Sequence, residues 1–156
     1  MNLRVCKIRS EAKLPTRAYE SDAGMDIYYC PSDKNSPSSM AEEGYPVLPR
    51  QSATMSTGIK VEVPYGHMLE IKNKSGIASK RQLIIGACVV DPGYNGELFV
   101  NLHNIGLTTQ YIYPGDKIAQ AVLVPVVHCG IEETHEDDLN VNTLRGEGGF
   151  GSTGSR

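Results

Sequence analysis

The sequence predicts an all-β domain, a sandwich or a barrel, and three observations carry that reading. Short runs with β-branched and alternating residues recur along the chain, clusters of Gly, Pro, Asn and Asp separate them, and no amphipathic helices intervene.

In chain order the strand candidates are "NLRVCKI" (2–8), "GMDIYY" (24–29), "TGIKVEVP" (57–64), "HMLEIKN" (67–73), "LIIGACVV" (83–90), "GELFVNLHN" (96–104) and "AQAVLVPVV" (119–127). The one helix candidate is "SGIASKRQ" (75–82). Residues 31–43, "PSDKNSPSSMAEE", hold turn formers without periodicity and read as a surface loop between strands. The acidic "EETHEDD" (132–138) reads as a solvated connector. The organisation that follows is a β domain over residues 1–140 and a flexible C-terminal lid over 141–156.

Composition narrows the class. The chain has 156 residues, 40% of them hydrophobic, enough to bury one core. Net charge is −3 and no run of Lys or Arg is dense enough to track a phosphate backbone, so no nucleic-acid partner is expected. No apolar run approaches the ~18 residues of a membrane span, and no secretory h-region opens the chain. The cysteines Cys6, Cys30, Cys88 and Cys129 stand far apart without a Cys-x-x-Cys pair, which predicts reduced, mostly buried thiols. His67, His103, His128 and His135 show no metal-ligand spacing. A cytoplasmic protein is expected, or one acting inside a host cell if its source is viral, with the nucleus left open.

The chain nearly ends on "RGEGGFGSTG", from Arg145 to Gly154. So few apolar side chains cannot offset the segment's own ordering entropy, and something outside it must order it. Glycine amides can wrap an anion, Arg145 can clamp a phosphate with its fork, and Phe150 offers a face for a base. The segment suits a nucleotide lid; it is not a Walker A loop, because the GK[ST] ending is missing.

Four further clusters break the strand pattern. "AGMDI" sets Asp26 beyond a glycine; "NKSGIAS" sets Lys74 and Ser75 at the mouth of the helix; "VVDPGYNGE" sets Asp91 and Tyr94 in a tight turn; "PGDKIAQ" ends on Gln120. Singly, each has an ordinary reading: a Pro-Gly turn, a helix cap, a solvated edge residue. The signal lies in the set and its order.

With "AGMDI" (23–27), "KSGIAS" (74–79), "GACVVDPGYNGE" (86–97), "GDKIAQ" (115–120) and "RGEGGFGSTG" (145–154), the sequence resembles the homotrimeric dUTP nucleotidohydrolases, the dUTPases, over almost its whole length. The resemblance implies a distorted jelly-roll or β-clip-like barrel with one short helix and a flexible Gly-rich arm. It also implies a homotrimer with active sites shared between subunits. Two residues depart from the family pattern: Lys74 stands where Arg is usual, which keeps the charge and loses the bidentate fork, and Asn95 follows Tyr94 where a longer polar or basic residue is common.

The resemblance further implies hydrolysis of dUTP to dUMP and pyrophosphate, which limits uracil incorporation into DNA and supplies dUMP for dTMP synthesis. Asp91 would be the base that activates water, and Tyr94 would pack on the deoxyribose. The backbone of Gly86, Ala87 and Cys88 would read the uracil edge. Lys74, Ser75, Gly76 and Gln120 would bind phosphates; Arg145, Phe150, Gly151, Ser152 and Thr153 would close over the nucleotide. Asp26 would stand near Mg²⁺ through water, the ion being held chiefly by the substrate's phosphates. Two alternatives were weighed: a dCTP deaminase-like trimer, which lacks the closing Arg/Gly/Phe motif, and a regulatory or binding protein on the same fold.

Overall fold

The computed structural model describes residues 2–32, 43–139, 143–144 and 146–148. Most of the 31–43 loop and most of the 141–156 arm lie outside the described residues, and with them Arg145, Phe150, Gly151, Ser152 and Thr153.

Eleven strands, one short α-helix and a single 3-10 turn at Glu136–Asp138 make up the described fold. The strands and the α-helix are β1 (Arg4–Lys7), β2 (Met25–Tyr28), β3 (Tyr45–Val47), β4 (Ser52–Ser56), β5 (Ile59–Glu62), β6 (His67–Lys72), α1 (Ser75–Arg81), β7 (Leu83–Ile85), β8 (Val89–Val90), β9 (Phe99–Asn104), β10 (Gln110–Ile112) and β11 (Lys117–Pro125). All pairings are antiparallel. The strands form four small sheets, ordered β1-β5, β3-β10, β2-β11-β6-β8 and β4-β9-β7. This is a jelly-roll-like all-β architecture, and the strands close no barrel among the described residues.

Period-2 side chains dictate which faces are buried. On β9, Val100, Leu102 and Asn104 point inward while Phe99, Asn101 and His103 alternate outward; on β6, Leu69 and Ile71 are the inward pair. They join Ile27, Met55, Ile59, Leu83, Ile112 and Ile118 in one core, each such side chain stabilising the fold by about 1.5–3 kcal/mol of apolar transfer. Asn104 is buried yet fully used: its amide donates to the carbonyls of Val47 and Thr108, both at 2.8 Å, and its oxygen accepts from Gly106 N–H. Helix α1 ends at Gln82, left-handed at φ 53°, after Lys80 and Arg81 place positive charge against the helix C-terminus.

Three expectations are corrected. The single strand read from "LIIGACVV" is two strands, because the chain crosses from the sheet of β7 to that of β8 within Gly86, Ala87 and Cys88. A Cβ at Gly86 would strike the side chains of Asn101 and His103, so only glycine fits the start of that crossing. The strands β3, β4 and β10 were absent from the reading; each is only three to five residues long, and β3 carries a proline. The thiols are free, but only Cys30 is buried: Cys6 lies on a two-stranded edge, Cys88 in the crossing, and Cys129 in the exposed segment after β11.

Candidate active site

One polar groove of about 390 Å³ gathers the first, second and fourth sequence clusters. Gly24, Asp26, Lys74 and Gln120 line it together with Asp22 and Val122. Register explains the meeting. Asp26 on β2 stands opposite Gln120 on β11, and Gln120 in turn stands opposite Lys72 on β6, two residues before Lys74. Gln120 donates from Nε2 to the Asn73 carbonyl at 2.8 Å, and its side chain lies over Gly24 so closely that any Cβ there would collide with it. Ser75 and Gly76 follow, exposed, at the start of α1, where no side chain caps the helix.

Asp26 is the electrostatic centre of this groove. It is buried, and each carboxylate oxygen accepts from one ammonium: Oδ1 from Lys74 and Oδ2 from Lys117, both at 2.7 Å. Burial pushes its carboxyl up, but the donors from Lys117 and Lys74 outweigh burial and hold it below the ordinary 3.8. Lys117 is held above its ordinary value by the same contact. Each Asp26 oxygen thus already accepts from one cation. Among the described residues no three His, Cys, Asp or Glu side chains converge into a metal cage. A carboxylate so paired fits contact through water with a divalent ion held chiefly by an anionic ligand.

A second, smaller pocket of about 220 Å³ holds the third cluster. Asp91 and Tyr94 line it with Val89, Val90, Leu98 and Phe99. Asp91 is exposed in the turn after β8, where Gly93 takes φ 86°. Tyr94 donates its hydroxyl to the Glu97 carbonyl at 2.9 Å, and Gly96 leaves the ring its space. Glu97 is itself anchored: it accepts both arms of the Arg9 fork and the N–H groups of Thr57 and Gly58. Leading into the pocket, Gly86 N–H is bonded to Asn101 O and Cys88 C=O to Ile71 N–H. Gly86 C=O, Cys88 N–H and both backbone groups of Ala87 take no part in these two bonds.

The two pockets share no lining residue. Asp26 stands on the edge strand β2 and Asp91 follows the other edge strand, β8, while Gln120 and Lys74 belong to β11 and the end of β6 between them. Three strand spacings across the sheet amount to about 14 Å. Along the strands, Gln120 and Asp26 sit level with Lys72, whereas Asp91 follows Val90, which sits level with Leu69. The separation therefore runs diagonally and exceeds the span of any one phosphate group.

A dUTPase family model matches residues 10–154. The chain belongs to the dUTPase family. It is 37% identical over 151 residues to the deoxyuridine 5'-triphosphate nucleotidohydrolase of Chlamydia trachomatis serovar L2, covering 96% of each chain, and 35% identical to that of Picosynechococcus, covering 99% and 100%. Its fold is similar to that of the Staphylococcus bacteriophage 80alpha dUTPase with dUpNHpp, with a TM-score of 0.81, 26% identity and 98% of both chains covered. It is also similar to a dUTPase from phage phi11 of S. aureus described with a structural Mg(II) ion, with a TM-score of 0.73, 25% identity, and coverage of 87% of this chain and 98% of that one.

Within this dUTPase-family chain, sequence reasoning missed three supporting residues. Lys117, inside "GDKIAQ", is the second cation on Asp26. Asn73 ties the two halves of its loop, receiving Gln120 at its carbonyl and holding Ile85 N–H at 2.7 Å with its side chain. Arg9, outside every quoted cluster, fixes Glu97. A polar residue at the edge of a cluster was signal enough for Asn73; Lys117 is placed by a register shift that strand alternation does not show, and the Arg9 contact spans 88 residues and leaves no local trace.

Proposed function

We propose that the chain hydrolyses dUTP to dUMP and pyrophosphate, with each active site assembled from more than one subunit of a homotrimer. The observation that carries this reading is the division of the site in a dUTPase-family chain: a cationic groove around Asp26, Lys74 and Gln120, and a carboxylate-aromatic pocket around Asp91 and Tyr94, with no lining residue in common. The relatives' names give the substrate; the Staphylococcus phage enzyme was seen with the analogue dUpNHpp.

In this reading Asp91 holds a water and takes its proton as the water attacks the α-phosphate, and pyrophosphate leaves. A carboxylate exposed at a turn can hold a water by hydrogen bond and do this without a covalent intermediate. Tyr94, its hydroxyl fixed on Glu97, packs against the deoxyribose and leaves no room for a 2′-hydroxyl. The backbone N–H and C=O groups from Gly86 to Cys88 read the uracil edge, which cytosine would mismatch. Lys74, Ser75, Gly76 and Gln120 of a second subunit bind the phosphates. Arg145, Phe150, Gly151, Ser152 and Thr153 close over the nucleotide. The substrate's phosphates, with Asp26 through water, would hold Mg²⁺, which would supply positive charge for the leaving group. The activity belongs in the cell interior, where it keeps uracil out of DNA and supplies dUMP for dTMP synthesis.

The experiment is pyrophosphate release from dUTP, the other dNTPs and UTP, each with and without Mg²⁺. Turnover confined to dUTP and dependent on Mg²⁺ is expected. Deamination of dCTP, or no turnover of any nucleotide, overturns the reading.

A further inference from the structure

Lys117 lies in the strand that supplies Gln120, three residues earlier. In a regular strand an odd separation turns two side chains to opposite faces, so Lys117 would point away from the groove face. It does not. The register of β11 against β2 shifts between Lys117 and Ala119, so that Lys117 pairs with Tyr28 and Ala119 with Ile27. Ile118 and Ala119 are consecutive buried residues, the mark of a bulge that adds one residue to the strand. Paired residues share a face, and Tyr28 is two residues from Asp26. The bulge therefore delivers Lys117 to the face of Asp26.

The two ammonium groups on Asp26 are not equivalent. Lys74 lines the groove; Lys117 does not, and reaches the carboxylate from outside it. Lys74 Nζ is already committed to Asp26 Oδ1 at 2.7 Å. Two of its three donors remain for an anionic ligand, but as the ligand's charge draws the ammonium toward it the bond to Asp26 lengthens, and a carboxylate whose side chain is 8% exposed tolerates losing a cation only if another stays.

We propose that Lys117 is a positioning residue: aimed by the bulge, it holds Asp26 ionised and paired so that Lys74 is free to turn to the phosphates of the nucleotide. The inference rests on the phosphate-binding role of Lys74 proposed above. It assigns Lys117 no contact with substrate. Without Lys117, Lys74 would be the only cation left on Asp26 and would stay there.

The test compares the wild type with Lys117→Met, Lys117→Arg, Asp26→Asn and the double variant Asp26→Asn/Lys117→Met, each first checked for folding by its melting curve. Lys117→Gln replaces Lys117→Met if the latter does not fold. Three quantities are read: KM and kcat with dUTP, affinity for dUpNHpp, and affinity for inorganic pyrophosphate. For Lys117→Met, KM is expected to rise and both affinities to fall about tenfold, the loss of one charge-assisted contact to phosphate, while kcat stays within about twofold. Lys117→Arg restores all three. In the Asp26→Asn background, where no carboxylate holds Lys74, Lys117→Met adds nothing. Unchanged affinities in Lys117→Met, a loss confined to kcat, failure of Arg to rescue, or an equal loss in the Asp26→Asn background would overturn the assignment. If the wild type turns over no dUTP, the proposed activity fails, and pyrophosphate affinity across the same variants still decides the role of Lys117 by the same pattern.

Discussion

At the residue scale, Asp91, the buried Asp26 and the half-buried Glu97 behave differently because their surroundings differ. Asp91 is exposed, and changing it alters little of the fold. Asp91→Asn is expected to lower kcat by a factor of about 10² to 10⁴, the usual contribution of a general base, with dUpNHpp affinity kept within a few-fold. Turnover near the wild-type rate would remove Asp91 from the reaction. Asp26 and Glu97, by contrast, bind stability to pH. Burial raises both carboxyls, but Lys117 and Lys74 in one case, and Arg9 with the Gly58 and Thr57 N–H groups in the other, hold them below their ordinary 3.8 and 4.5. A carboxyl depressed in the folded state stabilises it fully above the unfolded value, and loses that contribution as pH falls through the folded one. Melting temperature should therefore be flat from pH 7 down to about 5 and fall steeply below about 4. Glu97→Gln should soften that fall, and a profile identical to the wild type would show that Glu97 is not among the groups responsible.

At the element scale, the site depends on strand register and on a few glycines, and here the sequence was only partly legible. The helix at 75–82 and the long strands were readable because their periods are local: β6 and β9 alternate, and α1 stops where residue 82 turns left-handed. The break of "LIIGACVV" into β7 and β8 was not, because it is set by partners far off in sequence, Asn101 and His103 around Gly86. Lys117 was unreadable for the same kind of reason. Counting by twos from Gln120 puts it on the wrong face, and the bulge that corrects the count shows itself only in the pairing with β2. Asp26, Lys74 and Gln120 were picked out as separate clusters, while their meeting in one groove needed the register of three strands. Gly24 tests this level directly. A Cβ there meets the Gln120 amide, whose flexible side chain can move aside, so Gly24→Ala should fold normally. It should raise KM about tenfold through the displaced Gln120, roughly one hydrogen bond to a charged group of about 1.5 kcal/mol. Unaltered kinetics would separate Gln120 from ligand binding.

At the scale of the whole molecule, the proposed active site brings together the groove of Asp26 and the pocket of Asp91, which share no lining residue, and adds the C-terminal glycine segment as a third part. Truncation after Leu144 should leave the melting curve unchanged, since residues 145–154 offer only Arg145 and Phe150 as large contact-making side chains, and should lower kcat/KM by about tenfold or more through lost clamping and cover. Full activity, or loss of the fold, would contradict a lid. Assembly itself is decided by complementation. Asp91→Asn is defective in one half-site and Lys74→Ala in the other, so each homogeneous variant should be nearly inactive. If every site draws its halves from two subunits, unfolding and refolding the two variants together at equal ratio should restore about a quarter of wild-type activity, since half the subunits carry an intact first half and half an intact second. Recovery near that level supports a site shared between chains; activity no greater than the sum of the separate variants would contradict it.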